Sequence, residues 1–291
     1  MPHLNRGVDV AVCNPGRLID LVRKKATNLR RVTFLAMDEA DRMVSHGFEP
    51  QVRSVLSAVR PARQTLLFSA TMPARAARVA AELLRRPVWV TSGGAGQTPS
   101  NVQERVVVVE DEEAKWRWLA GELPRLASTG QVLVFAGTRA AAERLATSLA
   151  AAAAGAVAVL HGDLPQAARD GELGRLRRGE VAVLVATDVA GRGLDVPAVR
   201  TVISYDVAQD RERHLHRVGR TGRADAAQGA AYALVERGNA AGASMLCRHL
   251  RLCGVPAPPQ LLRAARGREA ESAGAPFEGP EAKRPRAQPP G

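Results

Sequence analysis

The sequence predicts an α/β protein with two parallel-sheet domains in tandem and a basic C-terminal tail. Short apolar segments alternate with helical segments, which is typical of parallel strands joined by crossover helices. The alternation pauses once, in the small and polar segment 92–99, and then restarts. We therefore expect a partial first domain at 1–92, a linker at 93–101, a second domain at 102–253 and a disordered tail at 254–291.

In the first domain, residues 8–13 place valine at every second position and predict a strand. The turn residues Asn14-Pro15-Gly16 follow, and they predict the start of a helix. Residues 32–37 are apolar except for Thr33 and predict a buried central strand. The same signals predict the remaining elements: a helix at 48–59, a strand at 64–68, a helix at 74–84 and a strand at 88–91.

The second domain repeats this alternation. Its predicted strands lie at 106–109, 132–135, 157–160, 181–186, 202–204 and 231–235. Its predicted helices lie at 114–126, 140–153, 166–178, 211–218 and 240–252. The following residues are rich in Pro, Gly, Arg and Glu and predict disorder. The short basic patch 283–286 within them is either a nuclear-import signal or a solvated tail.

Composition favours a polyanionic partner. The 291 residues carry a formal charge of +12, with a pI near 10.9. Aromatic residues make up only 3% of the chain, so contact with a nucleic acid should be mainly to phosphate and sugar and independent of sequence. The three cysteines have no metal-ligand spacing. Because no apolar run is long enough to span a bilayer, we expect a soluble, intracellular protein without membrane contact.

Carboxylates and arginines follow several predicted strands. Asp38, Glu39 and Asp41 come directly after the apolar run, where ligands bind in open α/β sheets and where carboxylates can hold Mg²⁺. Residues 187–195 offer hydroxyl, glycine and carboxylate groups, and residues 216–223 place arginines between glycines, which suits phosphate recognition. Taken singly, these segments could instead be a solvated acidic turn and a flexible basic loop.

Together these segments identify a family. Asp38-Glu39-Ala40-Asp41, Ser69-Ala70-Thr71 and the segments 187–195 and 216–223 resemble the DEAD-box RNA helicases, over about residues 7–253. The resemblance implies two RecA-like domains that use ATP and Mg²⁺ to remodel RNA. Within the family, four further segments resemble the subgroup associated with the spliceosomal branch-site particle, namely 24–29, 60–68, 115–119 and 205–208.

The resemblance also implies which residues carry the chemistry. Asp38 would hold Mg²⁺ through water, and Glu39 would orient or activate the attacking water. The other residues implied at ATP are Arg220 and Arg223 as arginine fingers, Asp195 at the ribose, and Gly193. Because phosphoryl transfer depends on positioning and charge stabilisation, both domains would have to close before the arginines act.

Two further sets follow from the resemblance. Asp41, Ser69 and Thr71 would couple the first domain to His216 in the second. The residues implied to contact RNA are Pro15, Gly16, Arg17, Thr138, Gly162, Asp163, Gln166, Arg169 and Thr187. Spliceosomal proteins would be partners, the protein would be a monomer, and it would act in the nucleus, with the cytoplasm as a second location.

One departure from the family pattern leaves an alternative open. The family's phosphate-binding loop has the form G-x-x-x-x-G-K-[ST], yet no Gly-Lys dipeptide occurs in the 291 residues. We therefore expect a chain that begins midway through the first domain and that does not hydrolyse ATP by itself. The alternative to a helicase is a non-catalytic RNA- or protein-binding module built on the second domain, and a DNA translocase is a weaker third.

Overall fold

Two units make up the chain, Met1–Thr98 and Pro99–Gly291, and each contains a parallel β-sheet. The structure is a computed structural model. It describes residues 7–45, 47–72, 74–91, 96–152, 156–188, 199–222 and 228–267. None of the helices in these residues has the length and apolar character needed to cross a membrane. The predicted α/β class with parallel sheets is confirmed.

The first unit is built on a two-stranded sheet. Strands β1 (Phe34–Met37) and β2 (Gln64–Leu67) pair in parallel, so that Met37 lies opposite Leu67 at their carboxyl ends. The helices described in this unit are α1 (Pro15–Arg23), α2 (Ala40–Ser45), α3 (Glu49–Ala58) and α4 (Ala74–Leu83). The sequence did not predict α2, because six residues are too few to show a helical period.

Three predictions for the first unit are wrong. Residues 8–13 and 88–91 are not strands, and Val12 is 97% exposed. Strand β1 is not buried either, since only Met37 of its four residues is buried and Phe34 is 54% exposed. A strand needs neighbours to pair its backbone and helices to cover its faces. Apolar composition alone does not report whether those neighbours are present.

The second unit has a six-stranded parallel sheet with the order β3-β8-β7-β4-β6-β5. Its strands are β3 (Val102–Val109), β4 (Gln131–Phe135), β5 (Val157–Leu160), β6 (Val183–Ala186), β7 (Val199–Ser204) and β8 (Gly229–Glu236). Its described helices are α5 (Glu112–Ala127), α6 (Arg139–Ala151), α7 (Gln166–Arg177), α8 (Arg211–Val218), α9 (Ala240–Leu252) and α10 (Pro259–Arg266).

Both faces of this sheet are buried. Along β4, Val134 packs in a cluster with Leu119 of α5 and Leu149 of α6, whereas Leu133 packs in another cluster with Leu176 of α7. Successive residues of a strand point to opposite faces, so a strand covered on both sides is apolar throughout. The sheet therefore provides a rigid base for the loops that follow its strands.

The predicted disordered tail is wrong for its first residues, because α10 belongs to the second unit. Leu261 is fully buried, and Ala264 packs in the same cluster as Leu246 and Leu250 of α9. Two apolar residues three positions apart are enough for a two-turn helix to dock, although the average composition of 254–291 indicates disorder. Residues 268–291 lie outside the described residues.

Candidate functional site

The acidic segment of the first unit forms a tight turn after β1. The backbone N of Phe68 donates to the Met37 carbonyl (2.8 Å), and the backbone N of Ala40 donates to the Phe68 carbonyl (3.0 Å), which ties the turn to the end of β2. Glu39 has a φ of 53°, which is uncommon for a residue other than glycine and recurs at functional sites. Asp38 is exposed and Glu39 is half-buried.

Asp41, Ser69 and Thr71 lie together after β1 and β2. Asp41 is fully buried, and its Oδ2 accepts hydrogen bonds from the Thr71 backbone N (3.0 Å) and Oγ1 (2.7 Å). Ser69 Oγ accepts from the Asp41 backbone N (3.1 Å) and donates to the Thr71 carbonyl (2.7 Å). Hydrogen bonds to a buried carboxylate are strong, and a satisfied polar network fixes geometry. We call this hydrogen-bonded network of Asp41, Ser69 and Thr71 the polar lock. It holds the turn that presents Asp38 and Glu39.

Pro15, Gly16 and Arg17 form the first turn of α1. Gly16 and Arg17 are exposed, and proline at the first helical position needs no hydrogen bond to its nitrogen. The apolar side of α1 packs through Leu18 against Val55 of α3. The structure thus places these residues at an open helix start, positioned by α3 rather than by the polar lock.

Several residues predicted to contact RNA meet at one edge of the second sheet. Strands β4, β6 and β5 are neighbours, and Ala186 at the end of β6 lies opposite both Phe135 and Leu160. The residues that follow these three strand ends include Thr138 after β4, Thr187 after β6, and Gly162 and Asp163 after β5. Level strand ends bring these loops together, as the carboxyl edge of a parallel sheet requires.

Two helix starts lie beside these loops. Thr138 caps α6 by accepting a hydrogen bond at Oγ1 from the Ala141 backbone N (3.1 Å). Gln166 and Arg169 occupy the first turn of α7. Arg169 Nε is buried and has no hydrogen-bond partner in the part of the chain that the structure describes. A helix start and a guanidinium group in its first turn both favour an anion such as phosphate.

The segment after α8 is held against the sheet. Arg220 Nε donates to the His216 carbonyl (3.2 Å), and Thr221 Oγ1 donates to the Arg200 carbonyl (2.8 Å). Gly222 has a φ of 68°, and a Cβ there would lie 2.3 Å from Val102 Cγ2, so only glycine fits. This fixes the backbone that follows Arg220. Three residues predicted at ATP, Arg223, Gly193 and Asp195, lie outside the described residues.

Sequence reasoning missed a buried ion pair between two of the motif segments. Arg217 is 3% exposed, and its Nε and Nη2 donate to the two carboxylate oxygens of Asp188 (2.7 and 2.9 Å). Both residues lie inside segments that the sequence singled out, but residue spacing gives no reason to pair them. The signal available was helical geometry, because Arg217 cannot share the face of α8 that carries His216.

A second buried network surrounds Glu104 on β3. Its two carboxylate oxygens lie 2.7 Å from His214 Nε2 and 3.0 Å from His249 Nε2. Ligands of a tetrahedral zinc ion lie about 3.3 Å apart, so these distances fit hydrogen bonds better than a metal. Burial raises the pKa of Glu104 but the imidazoles lower it more, so the net shift is downward. Burial lowers the pKa of His214. His214 and His249 therefore serve as hydrogen-bond partners of Glu104 within the fold.

Two RecA-like parallel sheets with acidic, hydroxyl and arginine-bearing loops at their strand ends define a protein of the helicase class. The chain belongs to the DEAD-box helicase family. The family model described as DEAD/DEAH box helicase matches residues 1–79, and the helicase conserved C-terminal domain matches residues 114–225. The resemblance stated from the motifs is therefore confirmed.

Relatives and solved structures agree. ATP-dependent RNA helicase DDX42 of Mus musculus is 46% identical, and the match covers 85% of this chain and 26% of the relative. DEAD-box ATP-dependent RNA helicase 24 of Arabidopsis thaliana is 44% identical, and the match covers 89% of this chain and 34% of the relative. The chain thus spans a quarter to a third of these relatives. S. cerevisiae Dbp5 bound to RNA and ADP BeF3 matches with a TM-score of 0.75 and 28% identity, over 84% of this chain and 64% of that one. The yeast DEAD-box splicing factor Prp28 matches with a TM-score of 0.54 and 28% identity, over 91% and 60%.

Proposed function

We propose that this chain is part of an ATP-dependent RNA helicase, which couples ATP hydrolysis to RNA binding and to local duplex unwinding or RNP remodelling. The curated relatives at 46% and 44% identity are named as ATP-dependent RNA helicases. The Dbp5 structure, which matches 84% of this chain, contains RNA and ADP BeF3. These names support the proposal for a protein of which this chain spans a part.

The observation that carries the proposal is the strand order of the second unit. It brings Thr138, Thr187, Gly162 and Asp163 to the carboxyl ends of three adjacent strands, although they are far apart in the sequence. Hydroxyls, helix starts and the positive charge of Arg169 suit the phosphates of a single strand. The low aromatic content, 3%, agrees with contacts to the RNA sugar-phosphate backbone rather than stacking on its bases.

For hydrolysis, the acidic turn of the first unit has suitable chemistry. Carboxylate oxygens are the ligands that Mg²⁺ prefers, and Asp38 presents an exposed carboxylate at a strand end, where water can complete the coordination. Mg²⁺ with ATP would supply the phosphoryl group and neutralise its charge. Glu39 would orient the attacking water from its fixed turn. Arg220 would stabilise charge on the γ-phosphate, together with Arg223, and Asp195 and Gly193 would hold the nucleotide.

The finer biological setting is also proposed. We place the protein in the nucleus, with spliceosomal proteins as partners, as a monomer on its RNA. Support comes from Prp28, a splicing factor by its description, which matches 91% of this chain. The four segments that resemble the branch-site subgroup point the same way. Domain bounds of 1–92 and 102–253 were predicted, and we now extend the second domain to include α10.

A second candidate function is an RNA-binding module without hydrolysis. It is favoured by one observation, since the 291 residues contain no Gly-Lys dipeptide and hence no phosphate-binding loop of the family's form. We expect the 291-residue chain to show no RNA-stimulated release of phosphate from ATP. Stimulated hydrolysis that Glu39→Gln abolishes would contradict this and would make the chain a complete enzyme.

Both candidate functions require the chain to bind RNA, so an RNA-binding measurement tests both. We would measure fluorescence anisotropy of a labelled oligouridine of about ten nucleotides with the 291-residue chain. Arg169→Ala should weaken binding about tenfold, because it removes a phosphate donor. Arg125→Ala is the matched control: Arg125 lies in the last turn of α5, on the amino side of β4, and pairs with Glu122. Equal losses in both variants would indicate attraction by net charge alone and would overturn the assigned site.

A further inference from the structure

Polar contacts made by two buried cations, Lys115 and Arg217, and by their partners join the carboxyl ends of four neighbouring strands in the second unit. Strands β8, β7, β4 and β6 are adjacent in the sheet. Glu236 ends β8, Asp206 follows β7, Gly137 follows β4 and Asp188 follows β6. The proposed ATP and RNA sites assign none of these four residues a role. Two of them are nevertheless next to residues of the RNA loops, since Gly137 precedes Thr138 and Asp188 follows Thr187.

Lys115 of α5 is the centre of these contacts. Its side chain is 4% exposed, and its Nζ lies 3.0 Å from Asp206 Oδ1, 2.8 Å from Glu236 Oε1 and 2.6 Å from Glu112 Oε2. Burial lowers the pKa of Lys115, but the hydrogen bonds to the three carboxylates raise it more, so the pKa is raised. The ammonium group is therefore charged at neutral pH and holds the Asp206 carboxylate in one orientation.

The other oxygen of Asp206 fixes the start of a predicted RNA loop. Asp206 Oδ2 accepts a hydrogen bond from the Gly137 backbone N (2.8 Å). A Cβ on residue 137 would lie 3.3 Å from that oxygen, so glycine allows the close approach. Gly137 immediately precedes Thr138, the cap of α6. The position of the Asp206 carboxylate thus sets the position of the backbone that presents Thr138.

Arg217 extends the contacts in the other direction. Its Nη1 donates to the Asp206 carbonyl, while its Nε and Nη2 hold Asp188, the residue after Thr187. The guanidinium carbon lies 5.1 Å from the centre of the Phe135 ring at the end of β4. One buried arginine therefore links the loop after β6 to the segment after β7.

We propose that Lys115 and Asp206 are positioning residues for RNA binding, which hold the Gly137–Thr138 backbone where it meets an RNA phosphate. The inference rests on the proposed RNA site and goes further, because neither residue contacts RNA itself. Donors bind an anion well only when their geometry is fixed before binding, and the Asp206 carboxylate, held by the buried Lys115 ammonium, provides that order.

The test uses the 291-residue chain and the labelled oligouridine. Asp206→Asn should weaken binding about tenfold, since an amide cannot accept from both Lys115 and Gly137. The matched control is Glu236→Gln, which also removes one carboxylate from Lys115 but does not contact the loop. Thermal unfolding should show similar losses of stability for the two variants, whereas RNA affinity should change less than twofold in the control.

A double-mutant cycle with Thr138→Val decides between the outcomes. If Thr138→Val and Asp206→Asn each weaken binding and the double variant is no weaker than either alone, they act through one contact, as proposed. If Thr138→Val weakens binding but Asp206→Asn matches Glu236→Gln, the positioning role is overturned and the RNA site stands. If neither Thr138→Val nor Arg169→Ala weakens binding, the RNA site itself is wrong, and the positioning role falls with it.

Discussion

Both units have candidate functional loops at the carboxyl ends of parallel strands, but the sheets that hold these loops differ in size and in burial. In the first unit, the loops follow a two-stranded sheet whose buried clusters are small, such as the one that contains Met37, Val52 and Leu56. In the second unit, they follow a six-stranded sheet covered by helices on both faces. The loops of the first unit therefore depend on their own polar lock, whereas those of the second unit inherit their order from an apolar core and buried ion pairs.

This difference matters for function because hydrolysis and RNA binding need rigid donors and acceptors. The turn with Asp38 and Glu39 keeps a strained φ at Glu39, and strain persists only where surrounding contacts over-determine it. In the first unit those contacts are the backbone hydrogen bonds to β2 and the polar lock around Asp41. The second unit can lose one polar contact and retain its core. Three substitutions or conditions test this contrast.

The largest expected loss in the free energy of unfolding comes from substitutions in the apolar cores of the two units. Leu184→Ala in the second unit should lower the free energy of unfolding by about 4 kcal/mol, because Leu184 is 1% exposed in a core that cannot collapse around the cavity. Leu56→Ala in the first unit should cost about 2 kcal/mol, since its surroundings can relax. Pulse proteolysis in urea, with fragments assigned to each unit, measures both. Equal costs would mean that the first unit is as well packed as the second.

A smaller effect is expected at the polar lock. Asp41→Ala should destabilise the first unit by about 3 kcal/mol, because it leaves the Thr71 donors buried without a charged acceptor. Asp20→Ala is the matched control on exposed α1, where the ion pair with Lys24 contributes little. Proteolytic cleavage near residue 70 reports the change. A loss as small as that of the control would show that the lock does not support the acidic turn.

The smallest expected effect is a pH dependence confined to the second unit. Burial lowers the pKa of His214, so folding disfavours its protonated form. This contribution to stability is complete above the unfolded pKa, about 6.5, and is lost as the pH falls below it. The lowered pKa of Glu104 adds a loss only at more acidic pH, below about 4.5.

We therefore expect unfolding of the second unit to become easier by on the order of 1 kcal/mol between pH 7 and pH 5. Urea unfolding at several pH values measures this, and His214→Asn should flatten the curve. The first unit contains neither His214 nor His249 and serves as the internal control. A second unit whose stability does not change over this pH range would contradict the assigned burial effect.

Sequence patterns predicted the order of elements well where strands are long and buried on both faces. They failed where pairing depends on a neighbour, as at residues 8–13 and 88–91, and where a helix is short, as in α2 and α10. Local patterns contain no information about which strands become neighbours. The same limit explains why an exposed strand such as β1 looked central.

The candidate site divides in the same way. Motifs at strand ends singled out Asp38 and Asp41, and the family resemblance singled out Thr138, without a structure. They did not locate the pairs of Arg217 with Asp188 or of Lys115 with Asp206, whose members are 29 and 91 residues apart. Those contacts exist because β8, β7, β4 and β6 are adjacent, and that order follows from the global packing of the sheet.

The most direct test of the central claim is amide hydrogen exchange of the 291-residue chain with and without the oligouridine. We expect RNA to slow exchange at residues 136–138, 161–163 and 187–188, which follow β4, β5 and β6, and to leave the strands themselves unchanged because they are already protected. No slowing at these three loops would contradict an RNA site at the carboxyl edge of the second sheet.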